Sequence, residues 1–382
     1  MGATQNGTRF VGVSIPDVSD WADPVVTGKW SQFFRALAEE MSLVDVVRPQ
    51  LSTTEQILHL ARSIRLSRSK WRARAGFSLR HAAMRSAVVE RELVKRSGSY
   101  DLIVQLQTLC SPRSRSVTAP YVIYTDNTMA LTQRVYPAFA PLPSRMVRQW
   151  LAFEAQVCQQ AEAVFTFSEF TRRSMIDDYS CRPERVVAVG AGANQLLGSL
   201  SGKDYKRPRV LFVGRAFKPK GGEILLDAWR RVSAEIPEAE LIIVGPKRNP
   251  VPDSRHNVAW LGPLDRAELG AQYRSASVFV LPSMFEGWGH VFVEAMGHGL
   301  PCIGTDCCAM PEIIEDGVSG LLVPRGEPEP LADAVIQLLR DTGTAARMGQ
   351  AGHTRVLETL TWGHVARRVV TSLARPNVAR VV

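Results

Sequence analysis

The second half of the chain alternates short apolar segments with segments of helical periodicity, and this alternation strongly constrains the fold. The apolar segments lie at residues 209–213, 241–244, 278–281 and 320–323, and they show no regular exchange of polar and apolar side chains. Strands that are buried on both faces have this composition, which is typical of parallel sheets covered by helices on both sides. The second half is therefore predicted to be a doubly wound α/β domain.

The first half shows a similar alternation. Strands are predicted at residues 9–15, 101–105, 120–124, 163–167 and 185–189, with helices at 30–41 and 144–161, another helix capped by Ser168, and two or three helices within 54–97. A length of 382 residues exceeds the roughly 250–300 residues at which a single core stops growing. Residues 190–207 are rich in Gly, Ala, Ser and Lys and have little periodicity, so they are interpreted as a linker. We predict one domain over residues 1–195 and a second that begins at residue 206.

The net charge of +9 is concentrated in residues 62–96, which we call the basic segment. It holds eleven Lys or Arg residues and two Glu residues, with apolar side chains such as Trp71 and Phe77 among them. A basic amphipathic helix can lie on an anionic membrane surface. A solvated helical face is the alternative. Nucleic acid is not expected as a partner, since no nucleic-acid-binding signature accompanies the charge.

No run of about 18 apolar residues occurs, and the first residues lack the apolar stretch of a signal peptide. We therefore expect no membrane-spanning helix and a cytoplasmic location. Peripheral contact with the inner face of the membrane, through the basic segment, is left open.

Two carboxylates and two glycines follow the predicted strand at 278–281. Glu286 lies in the turn, Gly287 and Gly289 open a helix, and Glu294 falls in a later turn of that helix. The free amides at a helix N-terminus attract anions, and glycine lets a ligand approach the backbone closely. A carboxylate facing inward at position 294 would suit the vicinal hydroxyls of a ribose. The alternative is a glycine turn with one capping and one surface carboxylate.

Two cations follow the predicted strand at 209–213. Arg215 and Lys220 come before a predicted helix, after Gly214. A guanidinium and an ammonium beside a helix N-terminus form a suitable diphosphate clamp, although a solvated basic turn is the alternative for each residue alone. Because the carboxyl ends of parallel strands meet at one edge, this loop and the loop of Glu286 are expected to converge. The pattern outlines a site for a nucleoside diphosphate.

Several segments together resemble glycosyltransferase family 4, of the glycosyl transferases group 1 type. They read VLFVGRAFKPKGG, ELIIVG, VAWLGPL, VFVLPSMFEGWGHVFVEAMGHGLPCIGTD, MPEIIEDGVSGLLVP and a closing TW. The resemblance covers most of residues 160–372, while the N-terminal half matches only in outline. It implies the GT-B fold, in which two Rossmann-like domains face a central cleft. It also implies that the second domain, residues 206–360, binds the nucleotide sugar, that the first binds the acceptor, and that residues 361–382 form a helix crossing back to the first domain.

The resemblance also implies roles for individual residues. Glu286 would contact the transferred sugar, Glu294 would hold the ribose, and Arg215 and Lys220 would bind the diphosphate. The remaining donor-binding residues would be Gly28, Gly214, Pro263, Leu264, Gly287, Trp288, Gly289, His290 and Val291. Of these, Pro263 and Leu264 fall where the family contacts the base, and Gly28 is the single glycine in a place where the family has a glycine-rich loop.

Asp126 follows the predicted strand at 120–124, where the family often has a histidine. It is predicted to orient the substrate or to handle a proton in place of that histidine. The alternative is a carboxylate that caps a turn. With Glu286, Arg215 and Lys220 it completes the set predicted to act in catalysis.

The function that the resemblance implies is a retaining hexosyltransferase (EC 2.4). It would move a sugar from a UDP- or GDP-sugar to a carbohydrate or lipid-linked acceptor. No cofactor and no metal are expected, since no Asp-x-Asp motif occurs. A GT-B nucleotide-sugar epimerase and a non-catalytic sugar-nucleotide-binding or membrane-associated scaffold are the alternatives. The presence of all four residues Glu286, Glu294, Arg215 and Lys220 argues against the scaffold.

Overall fold

The computed structural model describes residues 7–15, 28–194, 200–250 and 257–375. The chain divides into two compact units, one formed by residues 1–190 with 362–382 and the other by residues 191–361. Part of the predicted linker, residues 195–199, lies outside the described residues. The described residues 200–207 belong to the second unit, where the Tyr205 hydroxyl donates to the Gly299 carbonyl at 2.7 Å.

The first unit is built on a six-stranded parallel sheet of order β2-β1-β3-β4-β5-β6. Its strands are β1 (Arg9–Val13), β2 (Ser42–Val47), β3 (Leu102–Leu106), β4 (Tyr121–Thr125), β5 (Ala163–Thr166) and β6 (Val186–Ala188). Its helices before the last strand are α1 (Lys29–Ala38), α2 (Thr53–Ser63), α3 (Arg68–Gly76), α4 (Leu79–Lys95), α5 (Met129–Val135), α6 (Ser144–Gln159) and α7 (Glu169–Asp177), with single 3-10 turns at Pro137–Phe139 and Pro183–Arg185.

The predicted helical region at 54–97 is confirmed as the three helices α2, α3 and α4. Ser52 begins α2 with a capping box, in which its hydroxyl accepts from the Glu55 amide while the Glu55 carboxylate accepts from the Ser52 amide. The sequence analysis missed β2. That strand pairs in parallel with β1 at the end of the sheet order, and its Val46 and Val47 are buried.

The second unit holds another six-stranded parallel sheet, of order β12-β11-β10-β7-β8-β9. Its strands are β7 (Arg209–Val213), β8 (Glu240–Val244), β9 (Val258–Gly262), β10 (Val278–Val280), β11 (Cys302–Thr305) and β12 (Gly320–Val323). Its helices are α8 (Gly222–Glu235), α9 (Arg266–Ser275), α10 (His290–Gly297), α11 (Met310–Ile313), α12 (Pro328–Arg340) and α13 (Thr342–Thr359). The prediction of parallel, doubly covered α/β sheets is confirmed in both units.

The strand order of the second sheet reverses between β7 and β10. Strands β8 and β9 lie on one side of this point, and β11 and β12 lie on the other. In open α/β sheets a crevice forms where the order reverses, outside the carboxyl ends of the strands, and ligands bind there. The loops after β7 and β10 are therefore the ones that this topology brings to a crevice.

The last described helix, α14 (Trp362–Leu373), belongs to the first unit and packs against α1. Phe33 of α1 meets the Trp362 ring edge to face at 6.3 Å and stacks on Tyr124 of β4 at 4.1 Å. Among the helices in the described ranges, none is long and apolar enough to cross a bilayer.

Candidate donor site

The loops after β7 and β10 are joined through their backbones. The Met284 amide donates to the Pro219 carbonyl at 3.0 Å. Gly221 has a φ of +74°, and a Cβ at this position would lie 1.9 Å from the Pro282 carbonyl oxygen. Glycine is required here both by the backbone conformation and by the close approach of the second loop. This junction places Lys220 beside the loop of Glu286.

Lys220 and Glu286 form an ion pair at the crevice between these loops. The Ser283 hydroxyl donates to the same carboxylate oxygen at 2.9 Å. The Glu286 side chain is 9% exposed and that of Lys220 is 29% exposed, so the lysine is the more accessible of the two. The predicted convergence of the two loops is confirmed, and the ion pair was not anticipated from the sequence.

Gly289 precedes α10 with a φ of +114°, and a Cβ there would lie 2.9 Å from a ring carbon of Phe292. The residues before it differ in exposure, because Trp288 is buried and Gly287 is half-buried.

His290 lies at the first turn of α10, and its Nδ1 lies 3.1 Å from the Gly192 carbonyl. A carbonyl oxygen only accepts, so Nδ1 carries the hydrogen of this bond. The half-buried Val291 is in the same turn. The amides of this turn begin α10 and have the polarity that attracts anions.

Glu294 is buried in the second turn of α10. The Tyr273 hydroxyl of α9 donates to its carboxylate at 3.2 Å, and the Asn194 side chain also hydrogen-bonds it. Burial raises the pKa of Glu294 to about 7, against the opposing effect of these hydrogen bonds and of the Arg266 charge. Of the two alternatives that the sequence left open, a buried carboxylate at position 294 is observed and a surface one is not, while its partners Tyr273 and Asn194 were not predicted.

The other predicted donor residues of this unit follow the same sheet edge. Arg215 comes directly after Gly214 and is exposed. A Cβ at Gly214 would lie 3.0 Å from Cγ of Lys220, so this glycine leaves room for the lysine stem. Pro263 is exposed and Leu264 is half-buried, and both follow β9 at the end of the sheet order. Two strand spacings separate β9 from β7, a distance of roughly 10 Å.

Asp126 lies in the first unit, directly after β4. Its carboxylate pairs with the Lys29 ammonium at 2.5 Å and accepts from the Gln107 side-chain amide at 3.4 Å. Burial by itself raises the pKa of Asp126, but the charge and hydrogen bond of Lys29 outweigh burial and hold the pKa below its usual range. The Lys29 ammonium also lies over the Trp30 ring at 4.4 Å. A carboxylate held ionised in this way is better suited to orienting a substrate than to accepting a proton at neutral pH.

Gly28 is exposed and immediately precedes α1. Its φ of −63° is open to every residue type, and a Cβ there would meet nothing within 4 Å. The described backbone therefore gives no steric reason for glycine at this position. The residue before it, Thr27, lies outside the described residues.

Comparison with known proteins gives a family match within the second unit. Residues 207–341 match the family model for glycosyl transferases group 1. Over 60% of each chain, the protein is 28% identical to the D-inositol 3-phosphate glycosyltransferase of Corynebacterium aurimucosum, so it spans less than two thirds of that relative's length. It is 26% identical to the phosphatidyl-myo-inositol mannosyltransferase of Mycobacterium leprae over 89% of each chain.

Solved structures share the fold over nearly the whole chain. The sucrose-phosphate synthase of Thermosynechococcus elongatus superposes with a TM-score of 0.68 at 18% identity, covering 95% of this chain and 98% of that one. WaaG, a glycosyltransferase involved in lipopolysaccharide biosynthesis, superposes with a TM-score of 0.64 at 15% identity, covering 96% and 100%. At these identities the likeness concerns the fold alone, and it confirms the predicted GT-B class.

Proposed function

We propose, from the premise that this chain belongs to the glycosyl transferases group 1 family through residues 207–341, that it is a retaining glycosyltransferase. Its donor is a sugar nucleotide bound at the crevice of the second unit. Its product is an α-linked sugar on a carbohydrate or lipid-linked acceptor. The reaction breaks the bond between the anomeric carbon and the diphosphate and forms a bond from that carbon to an acceptor oxygen.

One observation carries this proposal: Lys220 and Glu286 meet where the strand order reverses, next to the start of α10. An ammonium, the amides of Gly287 to Val291 and the accessible guanidinium of Arg215 supply positive potential for two phosphates. The carboxylate of Glu286 is assigned to binding a hydroxyl of the transferred sugar.

The site acts by stabilising the leaving group. Negative charge grows on the diphosphate as the anomeric carbon becomes cationic, so Lys220 and Arg215 bind the transition state more strongly than the ground state. The acceptor proton moves to the departing phosphate oxygen, which balances the charge that develops there. Lys220 and the helix amides supply this stabilisation from the chain's own residues, and we propose that the reaction needs neither metal nor cofactor.

Glu294 completes the donor site as the group that holds the ribose. Its carboxylate is already bound by Tyr273 and Asn194, which fix its orientation. A carboxylate oxygen offers several acceptor directions, so one carboxylate can serve these donors and a pair of vicinal hydroxyls. The base is assigned to the loop of Pro263 and Leu264, after the terminal strand β9.

The acceptor is proposed by analogy with relatives. One relative is named after D-inositol 3-phosphate, a phosphorylated polyol. Another is named after phosphatidyl-myo-inositol, a lipid-linked polyol. We extend to this chain the shared class, a hydroxyl group of a polyol or sugar that is free or attached to lipid. Asp126, kept ionised by Lys29, is assigned to orienting that substrate.

The basic segment is proposed to contact an anionic membrane surface. Helix α2 exposes large apolar side chains, and the chain between α2 and α3 exposes two more; they are Ile57, Leu58, Leu60, Ile64 and Leu66. Exposed cations of the same region include Arg68, Lys70 and Arg72. Exposed apolar side chains beside cations are the combination that binds at a lipid interface.

Vesicle sedimentation tests this membrane proposal. Replacing Arg68, Lys70, Arg72 and Arg74 together by Ala should reduce binding to phosphatidylglycerol vesicles while leaving nucleotide binding intact. Equal sedimentation of wild type and variant would contradict the proposal. Neutral phosphatidylcholine vesicles are the control for binding that does not depend on charge.

A thermal-shift panel of UDP-, GDP-, ADP- and dTDP-sugars in EDTA tests the proposed donor site and its independence of metal. A ligand that binds only the folded protein raises its melting temperature. One nucleotide should give a shift, and Arg215→Ala should diminish it. A panel without any shift, or a shift that appears only after a divalent cation is added, would contradict the proposal.

A further inference from the structure

A cavity of about 420 Å³ lies within the first unit, and none of the donor-site residues of the second unit lines it. It is lined by Ile15, which follows β1, by Leu51, which follows β2, and by residues of helices α2, α3 and α4. Ligand sites usually have volumes of about 300 to 1,000 Å³, and those of α/β sheets lie outside the carboxyl ends of the strands. Both the size and the position of the cavity therefore suit a ligand.

Two histidines on different helices meet at the wall of this cavity. His59 of α2 and His81 of α4 lie with ring centroids 4.0 Å apart. His59 Nε2 and His81 Nδ1 lie 2.8 Å and 3.1 Å from the same carbonyl oxygen, that of Ala75 in α3. Both nitrogens must carry hydrogens, because the carbonyl only accepts. The arrangement fixes both rings and leaves their other nitrogens for further partners.

Arg85 lies one helical turn after His81 on α4 and also lines the cavity. Within the described ranges, no carboxylate pairs with its guanidinium, whereas Arg96 of the same region pairs with Asp45 and Glu92. Burial lowers the pKa of Arg85 below its ordinary value. A guanidinium that is partly removed from water and has no anion beside it is costly to maintain.

The cavity lining also includes aliphatic side chains. They belong to Ile15, Leu51 and Leu60, and no described residue that lines the cavity is acidic. The cavity thus offers both a cation and aliphatic side chains to one ligand. Guanidinium groups match the geometry of phosphate oxygens. The second ring nitrogen of His81 donates to a phosphate once the imidazole is protonated, since its Nδ1 hydrogen is already used on the Ala75 carbonyl.

We propose that this cavity binds the acceptor through a phosphate ester, with the phosphate at Arg85 and His81 and an apolar part against Ile15, Leu51 and Leu60. The identification of the ligand as the acceptor rests on the proposed function. The binding chemistry rests on the cavity alone. The same phosphate chemistry is found in a soluble phosphorylated compound and in a lipid headgroup, and the two differ in whether an apolar part is attached.

Calorimetric titration with three probes tests the binding chemistry. The probes are octyl phosphate below its critical micelle concentration, inorganic phosphate, and octyl glucoside as a neutral compound with the same chain. Octyl phosphate should bind at least about tenfold more tightly than either of the others, since only it carries both a phosphate for Arg85 and an alkyl chain for the aliphatic side chains. Inorganic phosphate binding as tightly as octyl phosphate would overturn the lipid-like ligand, and equal binding of octyl glucoside would overturn the phosphate site.

A matched pair of variants assigns the binding to the cavity. Arg85→Met keeps the aliphatic stem and removes the charge, and it should weaken octyl phosphate binding at least about tenfold. Arg80→Met removes the same charge from an exposed position on α4 and should leave the affinity unchanged. Equal affinities of the two variants would overturn the proposal. Melting temperatures check that both variants fold, and Arg85→Lys, which keeps a charge, should retain part of the affinity.

The pKa of His81 can be measured with and without ligand, and it would not change on ligand addition if His81 had only a structural role. Burial, the charge of Arg85 and the neighbouring His59 lower the pKa of His81 to about 4, although its bond to the Ala75 carbonyl opposes this. A phosphate in the cavity adds an opposite charge and should raise that pKa, as measured by proton NMR of the His81 ring. Wild-type protein should show the rise with octyl phosphate and Arg85→Met should not. An unchanged His81 pKa in saturated wild-type protein would overturn the placement.

Nucleotide titration separates this proposal from the proposed function. Arg85→Met should bind nucleoside diphosphate as wild type does, since the cavity and the donor crevice belong to different units. Octyl phosphate binding that depends on Arg85, in a protein that binds no nucleotide, would uphold the cavity and contradict the glycosyltransferase. Nucleotide binding without Arg85-dependent binding of octyl phosphate would do the reverse.

Discussion

Lys220 and Glu286 are in direct contact although they lie 66 residues apart in the chain. The lysine follows β7 and the glutamate follows β10, two strands that pair where the sheet order reverses. The cation proposed to bind the donor diphosphate is thus held by the carboxylate proposed to bind the donor sugar. An incoming diphosphate would exchange that carboxylate for phosphate oxygens as the partner of Lys220.

Glu286→Gln is expected to raise the affinity for the free nucleoside diphosphate several-fold. The substitution removes a negative charge beside the phosphates and frees the Lys220 ammonium from its partner. The same variant should lose preference for the nucleotide sugar over the nucleoside diphosphate, because a contact to the sugar is weakened. Calorimetric titration of both ligands measures the two effects, and a large loss of nucleoside diphosphate affinity would contradict this account of the ion pair.

Glu294→Ala is expected to weaken nucleotide binding at least about tenfold at pH 8, where this carboxyl group is ionised, since hydrogen bonds to a charged group are worth about 1.5–3 kcal/mol. The control is Glu238→Ala, which removes a carboxylate from an exposed turn of the same unit. Fluorescence-detected titration with the nucleotide that gives a thermal shift compares the two variants. If they bind equally well, Glu294 does not hold the ribose.

The raised pKa of Glu294 also predicts how the free energy of unfolding depends on pH. Its pKa in the folded protein is about 7, above the ordinary value of 4.5, so the folded state keeps this proton to a higher pH than the unfolded chain does. The contribution of Glu294 to the free energy of unfolding should therefore fall as the pH rises from about 4.5 to about 7. The glutamine of Glu294→Gln cannot titrate. The free energy of unfolding of this variant should therefore rise by about 2–3 kcal/mol relative to that of wild type between pH 4.5 and pH 8.

Urea denaturation at several pH values within this range measures the difference. As the pH rises, the free energy of unfolding of wild type should fall relative to that of Glu294→Gln. Parallel curves would mean that the carboxylate titrates near its ordinary pKa and is not desolvated as the structure describes.

Gly221 and Gly317 form a matched pair for testing the junction of the two loops. Both have a φ of +74°, but a Cβ at Gly221 would lie 1.9 Å from the Pro282 carbonyl, while a Cβ at Gly317 would meet nothing within 4 Å. Gly317→Ala should cost about 1 kcal/mol for the left-handed backbone alone. Gly221→Ala should cost more than about 3 kcal/mol, because the loops must also separate. Equal losses of unfolding free energy in urea would show that the close approach does not matter.

The loops that form the donor site could be predicted from the sequence because they depend on local patterns. Apolar runs identified β7 and β10, and the carboxyl ends of parallel strands meet at one edge, which predicts the meeting of Lys220 and Glu286 that the structure shows.

The partners of these residues could not be read in the same way. Lys29 and Asp126 lie 97 residues apart, and Tyr273 of α9 and Glu294 of α10 lie 21 residues apart. Such pairs depend on tertiary packing, which no local periodicity encodes. Strand β2 differs, since its run of Leu43, Val44, Val46 and Val47 contains three β-branched residues, which favour a strand.

Calorimetric titration of UDP, GDP, ADP and dTDP into wild type, Lys220→Met and Lys218→Met tests the central claim most directly. Lys218 lies in the same loop with its side chain 76% exposed and paired with Glu223, so its substitution removes an equal charge away from the crevice. One nucleotide should bind wild type and Lys218→Met with affinities within about threefold, and Lys220→Met at least about tenfold more weakly. Equal weakening in both lysine variants, or no binding by any of the four nucleotides, would contradict a donor site built on Lys220 and Glu286.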